Sequence, residues 1–156
     1  MADGKYWMTH NVNVNVLSSY RYEDKELNCY QYGRLYTWES AWRVCQSFGH
    51  EWQLPTKDEQ QQMAKHYGGV RDDSDDGGKA AYNALVVGGS SGFNAVFGGP
   101  PRRWPICTFE SALILLDGVR EWSGQCMALQ LGQTHILNCH NDGQKRRAFS
   151  VRCVRE

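Results

Sequence analysis

Large aromatic residues and glycine dominate this chain more than any regular hydrophobic period does. The 156 residues include six Trp, eight Tyr and sixteen Gly, and aromatic residues make up 12% of the sequence. Aromatic side chains bury large areas and act as core anchors, whereas glycine permits turns that other residues resist. This composition favours a domain of short strands and long irregular loops over a helical bundle.

The length and the charge balance of the chain exclude several classes of protein. A length of 156 residues corresponds to one domain, so residues 1–156 are expected to form a single unit. Equal numbers of basic and acidic residues, 17 of each, disfavour a protein that coats nucleic acid or an anionic membrane. The sequence has neither a long apolar run nor a signal-peptide pattern. We therefore expect no nucleic-acid partner and no membrane insertion.

The first part of the chain is predicted to contain a strand, a loop and a helix. The Asn/Val alternation over residues 11–16 predicts a strand, whereas residues 17–33 have no period and predict a loop. Apolar residues at helical spacing predict a helix over residues 38–47, and Thr37 is suited to be its N-cap.

A second helix is predicted by its capping signal. Thr56 precedes Glu59 by three residues, which is the spacing of a capping box. The helix is expected to extend over residues 57–67, because Gly68 and Gly69 follow and end it. The glycine-rich residues 70–100 are expected to hold no long element.

The last third of the chain is predicted to form a β-meander. Residues 112–122 and 127–138 predict two strands joined by a turn at Ser123 and Gly124, and residues 148–155 predict a final strand. Together with the two helices, this order predicts an α+β domain.

Six cysteines, none of them in a C-x-x-C pair, leave the redox state of the chain open. They are Cys29, Cys45, Cys107, Cys126, Cys139 and Cys153. Without C-x-x-C spacing, a zinc ribbon or a thioredoxin-type site is disfavoured. Either a disulfide, as in a secreted domain, or free buried thiols would account for them, and the spacing does not choose a pairing.

No local motif predicts a metal site, a cofactor or a catalytic centre. The acidic residues 72–76 lack the ligand spacing of an EF-hand and are expected to form a solvated loop. The histidines are scattered, no G-x-S-x-G motif occurs, and the glycine-rich residues 88–92 are expected to form a tight turn. We therefore predict a protein that is not an enzyme and that uses no cofactor and no metal.

Several sequence blocks, spread in order along the chain, form a specific pattern. They are GKYWMTHN at 4–11, YGRLYTWESA at 32–41, WQLPTKDE at 52–59, YGG at 67–69, SGFNA at 91–95, GG at 98–99, WS at 122–123 and SVRCVR at 150–155. Over essentially its whole length the chain resembles the FISUMP family, the major paralogous domains first recognised in Fibrobacter. It departs most from that family over residues 100–144, where Trp-Ser-Gly-Gln at 122–125 looks like a reduced form of the family's Trp-Trp-Ser-Ser segment.

The resemblance implies a C-type-lectin-like fold in the version shared with formylglycine-generating enzymes, with two helices, small antiparallel sheets and long irregular loops. It also implies a non-catalytic variable protein of a diversity-generating retroelement, whose C-terminal segment is rewritten by mutagenesis at template adenines. The implied partner is a protein or a glycan on a cell surface. The implied location is extracellular, on a bacterial surface or a phage virion, as the terminal domain of a tail, pilus or lipoprotein assembly.

Residue types in the C-terminal segment separate as adenine mutagenesis predicts. An AAC codon randomised at its adenines becomes any codon ending in C, and no such codon encodes Glu, Gln, Lys, Met or Trp. Between residues 119 and 149, these excluded types alternate with residues that are unusual in a scaffold. The excluded types are Glu121, Trp122, Gln125, Met127, Gln130, Gln133, Gln144 and Lys145.

The unusual residues, together with Trp104, are the candidate surface for ligand binding. This surface consists of Trp104, Arg120, Cys126, His135, Leu137, Cys139, His140, Asp142, Arg146, Arg147 and Phe149. Aromatic residues and Arg often supply the main binding energy of an interface. Beneath the candidate surface, Leu129, Leu131 and Val151 are expected to face inward against Trp anchors.

Three alternatives to a binding surface stay open at this level. An ordinary loop after a strand would also contain such residues. A formylglycine-generating-type cysteine oxidase would need a reactive cysteine pair, for which Cys126 and Cys139 are the nearest candidates. A structural cell-envelope protein would bind no ligand.

Overall fold

Four helices and eight strands form within the part of the chain that the structure describes. The computed structural model describes residues 1–96 and 148–156, together with the backbone of three strands between those ranges. The helices are α1 (Glu26–Tyr32), α2 (Trp38–Ser47), α3 (Lys57–His66) and α4 (Lys79–Leu85). The strands are β1 (Tyr6–Trp7), β2 (Ser19–Tyr20), β3 (Leu35–Tyr36), β4 (Leu113–Leu116), β5 (Gln125–Leu131), β6 (Leu137–Gln144), β7 (Phe149–Ser150) and β8 (Val154–Arg155).

Six of the described strands form one sheet, and the other two form a small sheet at the termini. The order in the larger sheet is β2-β3-β7-β4-β5-β6. β7 pairs in parallel with β4, where Ser150 lies opposite Leu115, and the other pairs are antiparallel. β1 and β8 are antiparallel, with Tyr6 opposite Arg155. The predicted α+β class is confirmed. The predicted meander is observed in changed form: β4, β5 and β6 are successive antiparallel strands, whereas β7, which begins the predicted last strand, pairs in parallel with β4.

The two predicted helices begin where their capping signals place them. The Thr37 side chain accepts a hydrogen bond from the Ser40 N–H at the start of α2. At the start of α3, Thr56 and Glu59 form both hydrogen bonds of the predicted capping box. After α3, Gly68 has a φ of 115°, a conformation that residues with a side chain rarely adopt.

The Asn/Val alternation over residues 11–16 does not form a strand, so that prediction is wrong. The Val12 N–H donates to the Val151 carbonyl oxygen at 2.9 Å, and the Val12 carbonyl oxygen accepts from the Arg34 N–H at 2.9 Å. Two residues further on, the backbone N–H donates to the Tyr36 hydroxyl oxygen. Isolated hydrogen bonds to distant parts of the chain, rather than a strand ladder, therefore hold this segment.

Other element boundaries also differ from the sequence predictions. The expected loop at residues 17–33 contains β2 and α1, and the glycine-rich stretch contains the short helix α4. Helices of seven residues span too few turns to show a clear apolar period. The strand predicted at residues 127–138 is divided between β5 and β6, and the one at 148–155 between β7 and β8. The predicted turn at residues 123–124 lies outside the described residues.

Two clusters of buried apolar side chains form the core. One cluster lies around α3 and α4 and contains Trp7 and Phe93, whose ring centroids lie 6.1 Å apart in an edge-on arrangement. The other cluster lies around α2 and contains Tyr36, Trp38 and Val151. Val151 is fully buried, as the sequence predicts. Large aromatic residues are thus central to both clusters.

A disulfide joins α2 to the C-terminal end of the chain. It links Cys45 to Cys153, and both residues are fully buried. Among the cysteines whose side chains are described, Cys29 is a free, buried thiol. We call α2, β3, β7 and this disulfide the frame, because they enclose the second core cluster.

Candidate binding surface

The structure describes part of the candidate surface. Phe149 lies on β7 and is described in full. The backbone alone is described for Cys126 on β5 and for Leu137, Cys139, His140 and Asp142 on β6. The remaining members lie outside the described residues, namely Trp104, Arg120, His135, Arg146 and Arg147.

β6 brings four candidate positions together on one strand at the end of the described sheet. Its neighbour β5 has a strand on either side and also lies alongside α3, so α3 lies toward one face of the strand pair. β6 itself lies alongside α4 and the 3-10 turn Arg71–Asp73. The strand pair therefore has a face toward α3 and an opposite face.

The candidates on β6 divide between these two faces, because successive strand residues alternate in direction. Cys139 lies opposite Leu129 and shares its face, and Leu137 lies on that same face. Asn138 and His140, opposite Gln130 and Ala128, lie on the other face. Between His140 and Gly143 the ladder has an irregularity with one extra residue on β6, so the alternation does not extend to Asp142. The sequence predicts that Leu129 faces inward, so the outward position predicted for Leu137 and Cys139 is inconsistent with this register.

The two cysteines of the oxidase alternative lie far apart along the strands. Cys126 lies opposite Gly143, which is four residues beyond Cys139 on β6. Four residues of extended strand correspond to about 13 Å, whereas the Cα atoms of bonded cysteines lie within about 7 Å of each other. In this register Cys126 and Cys139 are not a closely spaced pair.

Phe149 is a core residue, so its assignment to the candidate surface is wrong. It is only 4% exposed and packs in the cluster around α2. Its cross-strand partner is Tyr36, which is fully buried. The physical reason is the position of β7, which has β3 on one side and β4 on the other and is therefore an interior strand.

Tyr36 fixes the N-terminal segment against the frame. Its hydroxyl donates to the Val14 carbonyl oxygen at 2.8 Å and accepts from the Val14 N–H at 2.8 Å. Burial raises the pKa of Tyr36 to about 12, so the hydroxyl is neutral at physiological pH. Both hydrogen-bonding functions of the group are used, which is the arrangement a buried phenol requires.

Arg34 is a buried guanidinium that holds the N-terminal segment to α1. Its Nε donates to Ser19 Oγ at 3.1 Å, and its Nη2 donates to Asn15 Oδ1 at 2.9 Å. Its Nη1 lies 3.8 Å from Cys29 Sγ. These contacts stiffen the N-terminal third of the chain.

A second buried guanidinium, Arg152, was not identified from the sequence. It is 1% exposed, although charged residues are rarely buried without partners. One signal was present, because Arg152 stands inside the apolar run at residues 148–154. A charged residue in such a run either faces solvent from a strand or is held by buried acceptors, and the sequence does not distinguish these cases.

The acidic loop at residues 72–76 forms hydrogen bonds with the start of the neighbouring helix α4. One carboxylate oxygen of Asp76 accepts from the Ala80 N–H at 2.7 Å, and the other accepts from the N–H groups of Gly78 and Lys79. The hydrogen bond from Ala80, followed by those from its neighbours, lowers the pKa of Asp76. This carboxylate caps α4.

The described part of the chain contains no group of three or more His, Cys, Asp or Glu side chains placed to hold a metal ion. Nor does any helix in that part have the length and apolar character of a membrane span.

Comparison with known proteins identifies no relative. No protein-family model, no curated protein and no solved structure matches the chain. The geometry of the chain itself is therefore the basis for assigning a function.

Proposed function

We propose that this chain is a non-catalytic ligand-binding domain of the C-type-lectin-like type, related to the FISUMP family and diversified by a retroelement. Its binding surface is centred on the face of β6 that contains Asn138 and His140. The observation that carries this proposal is that the frame and β6 lie in different parts of the sheet. The disulfide, Tyr36 and Phe149 belong to the frame, whereas β6 lies at the other end of the sheet, separated from β7 by β4 and β5.

The choice of face rests on the alternation of residue types along β6. Over the regular part of β6, Leu137 and Cys139 alternate with Asn138 and His140. An antiparallel strand with one covered face places its apolar set against the cover and its polar set toward solvent. We assign the apolar set to the face beside α3 and the polar set to the opposite face.

The register also brings together two residues that would stay constant. Gln125 and Gln144 lie opposite each other at one end of the β5–β6 ladder. Both are of a type that randomised AAC codons do not encode. Constant positions would therefore lie among the variable ones in this strand pair.

Energetics favour such a division of roles. Substitutions at surface positions away from packing change stability by about 0.5 kcal/mol or less. Diversification of the polar set therefore costs little stability, while the frame keeps the strand in place. A rigid support also reduces the entropy lost on binding.

The proposed ligand is a protein or a glycan on a cell surface, and the proposed location is extracellular, on a bacterial surface or a phage virion. The buried disulfide between Cys45 and Cys153 supports an oxidising compartment. The proposed context is the terminal domain of a tail, pilus or lipoprotein assembly.

Two matched libraries on the same strand test this function. The first randomises the polar set, Asn138 and His140, with codons ending in C. The second randomises the intervening positions, Leu137 and Cys139, with the same codons. Each library is displayed on yeast and treated with protease, and the survivors are selected on immobilised avidin and on a high-mannose glycan.

We expect most members of the first library to survive protease and to yield binders, because their substitutions lie on the solvent face. Members of the second library are expected to be cleaved, because their substitutions lie against the helices. Equal survival of the two libraries would show that neither face is reserved for binding. Survival without binders to either probe would count against a ligand-binding function.

A further inference from the structure

We propose that Arg152 is a positioning residue that fixes the orientation of β4, β5 and β6 on the frame. The proposal rests on the proposed function, since these strands bear the binding surface. The buried Arg152 side chain joins the chain segments that precede and follow these strands.

The guanidinium of Arg152 is surrounded by oxygen acceptors. Its Nε donates to Asn11 Oδ1 at 2.8 Å, and its Nη2 donates to the Asn94 carbonyl oxygen at 2.9 Å. Its Nη1 donates to the Phe93 carbonyl oxygen. Its carbon Cζ lies 4.2 Å from the centroid of the Phe93 ring, which covers one face of the group. Asn11 in turn donates from Nδ2 to the Tyr32 carbonyl oxygen at 2.8 Å.

These acceptors are neutral, which makes the burial of a cation costly. Within the described residues Arg152 forms no ion pair with a carboxylate. Burial lowers the pKa of Arg152 to about 9, so the group is still charged at neutral pH. A buried charge persists only where its hydrogen bonds are well satisfied. The three carbonyl oxygens satisfy it, and their positions are therefore fixed relative to Arg152.

The acceptors and Arg152 lie on opposite sides of the strand-bearing stretch in the sequence. Phe93 and Asn94 precede β4, and Arg152 follows β7 by two residues. On the first side, the Ala95 N–H donates to the Leu85 carbonyl oxygen at 2.8 Å and so attaches this segment to α4. On the second side, Ser150 of β7 pairs with β4. Arg152 thus connects α4, on one side, to the sheet that continues through β4 to β6.

Arg34 offers an internal comparison. It is also a buried guanidinium with several acceptors, but its partners Ser19, Asn15 and Cys29 all belong to the N-terminal third of the chain. If a buried arginine contributed only to general stability, replacement of Arg34 or of Arg152 would affect the same parts of the chain. The proposal requires that only Arg152 affects β4, β5 and β6 selectively.

The test uses Arg152→Lys in the full chain, with Arg34→Lys as the matched control, and measures backbone hydrogen exchange by mass spectrometry. Lysine keeps the charge but replaces three donor nitrogens with one ammonium, so it cannot keep all three hydrogen bonds to the Asn11, Phe93 and Asn94 oxygens. We expect exchange in peptides from β4, β5 and β6 to accelerate by about tenfold or more, as for loss of a hydrogen bond to a charged group. Peptides from α2 and α3 are expected to change by about twofold or less. Arg34→Lys should leave β4, β5 and β6 unchanged.

Uniform acceleration across the whole chain in Arg152→Lys, or equal acceleration of β4 to β6 in both variants, would overturn the proposal. If Arg152→Lys does not fold, Asn11→Ala removes one acceptor of Arg152, together with the hydrogen bond to the Tyr32 carbonyl oxygen. It is expected to accelerate exchange in β4, β5 and β6 at smaller amplitude, besides a local change at α1. Unchanged exchange in β4, β5 and β6 also overturns the proposal. The exchange measurement involves no ligand. Selective exchange combined with failure of the library selection would therefore retain the positioning role and reject the binding function.

Discussion

Replacement of Cys45 and Cys153 together by alanine is expected to lower the free energy of unfolding by about 4–5 kcal/mol. The two cysteines are separated by 108 residues in the sequence, so the disulfide removes much of the entropy of the unfolded chain. The closed loop includes β4, β5 and β6 as well as three of the four described helices, at least in part. Both cysteines are fully buried, and their loss therefore also removes packing around α2.

Urea denaturation of the oxidised wild-type protein and of the double variant measures this effect. Cys29→Ser is the matched control, because Cys29 is buried but unbonded to another cysteine. It is expected to change the free energy of unfolding by about 1 kcal/mol. A double variant that loses no more stability than Cys29→Ser would contradict the role given to the disulfide.

Phe149→Ala is expected to lower the free energy of unfolding by about 3–5 kcal/mol, the usual cost of removing a buried aromatic ring. The ring lies in the cluster around α2, opposite the fully buried Tyr36. This expectation is the reverse of the one for a surface position, where the same change is worth about 0.5 kcal/mol or less.

Ser150→Ala provides the control for Phe149→Ala, because Ser150 is the next residue on β7 and lies on the opposite face. It is half-buried, and we expect a change of about 1 kcal/mol or less. Thermal unfolding followed by circular dichroism compares the two variants. Equal unfolding midpoints for Phe149→Ala and the wild type would contradict the core position of Phe149 and would favour its place on the binding surface.

The helices that could be predicted from the sequence are those whose signals are local. Thr37 at the start of α2, and the pair Thr56 and Glu59 at the start of α3, form their hydrogen bonds within four residues of one another. The helical spacing of Trp38, Ala41 and Cys45 is equally local, and all three are buried on α2. The pairing of Cys45 with Cys153 was not predictable, because spacing alone does not restrict the partner.

Features that depend on distant parts of the chain could not be predicted in the same way. The Val12 backbone forms hydrogen bonds with Arg34 and Val151, which are distant in the sequence. The Asn/Val alternation around Val12 therefore does not indicate how this segment is held. Phe149 shows the same limit, since alternation does not distinguish an interior strand from an edge strand. Arg152 was visible as a charge in an apolar run, but its acceptors are contributed by Asn11 and by the carbonyl groups of residues 93 and 94.

Deep sequencing tests the central claim most directly. This gene and its flanking DNA are sequenced in a population grown from a single cell. We predict substitutions confined to codons for residues 120–147, at positions opposite adenines in a nearby template copy that lies beside a reverse-transcriptase gene. The codons for Tyr36, Cys45, Phe149, Arg152 and Cys153 are predicted to stay constant. Substitutions spread evenly along the gene, without such a copy, would contradict the account of a fixed frame with a diversified surface.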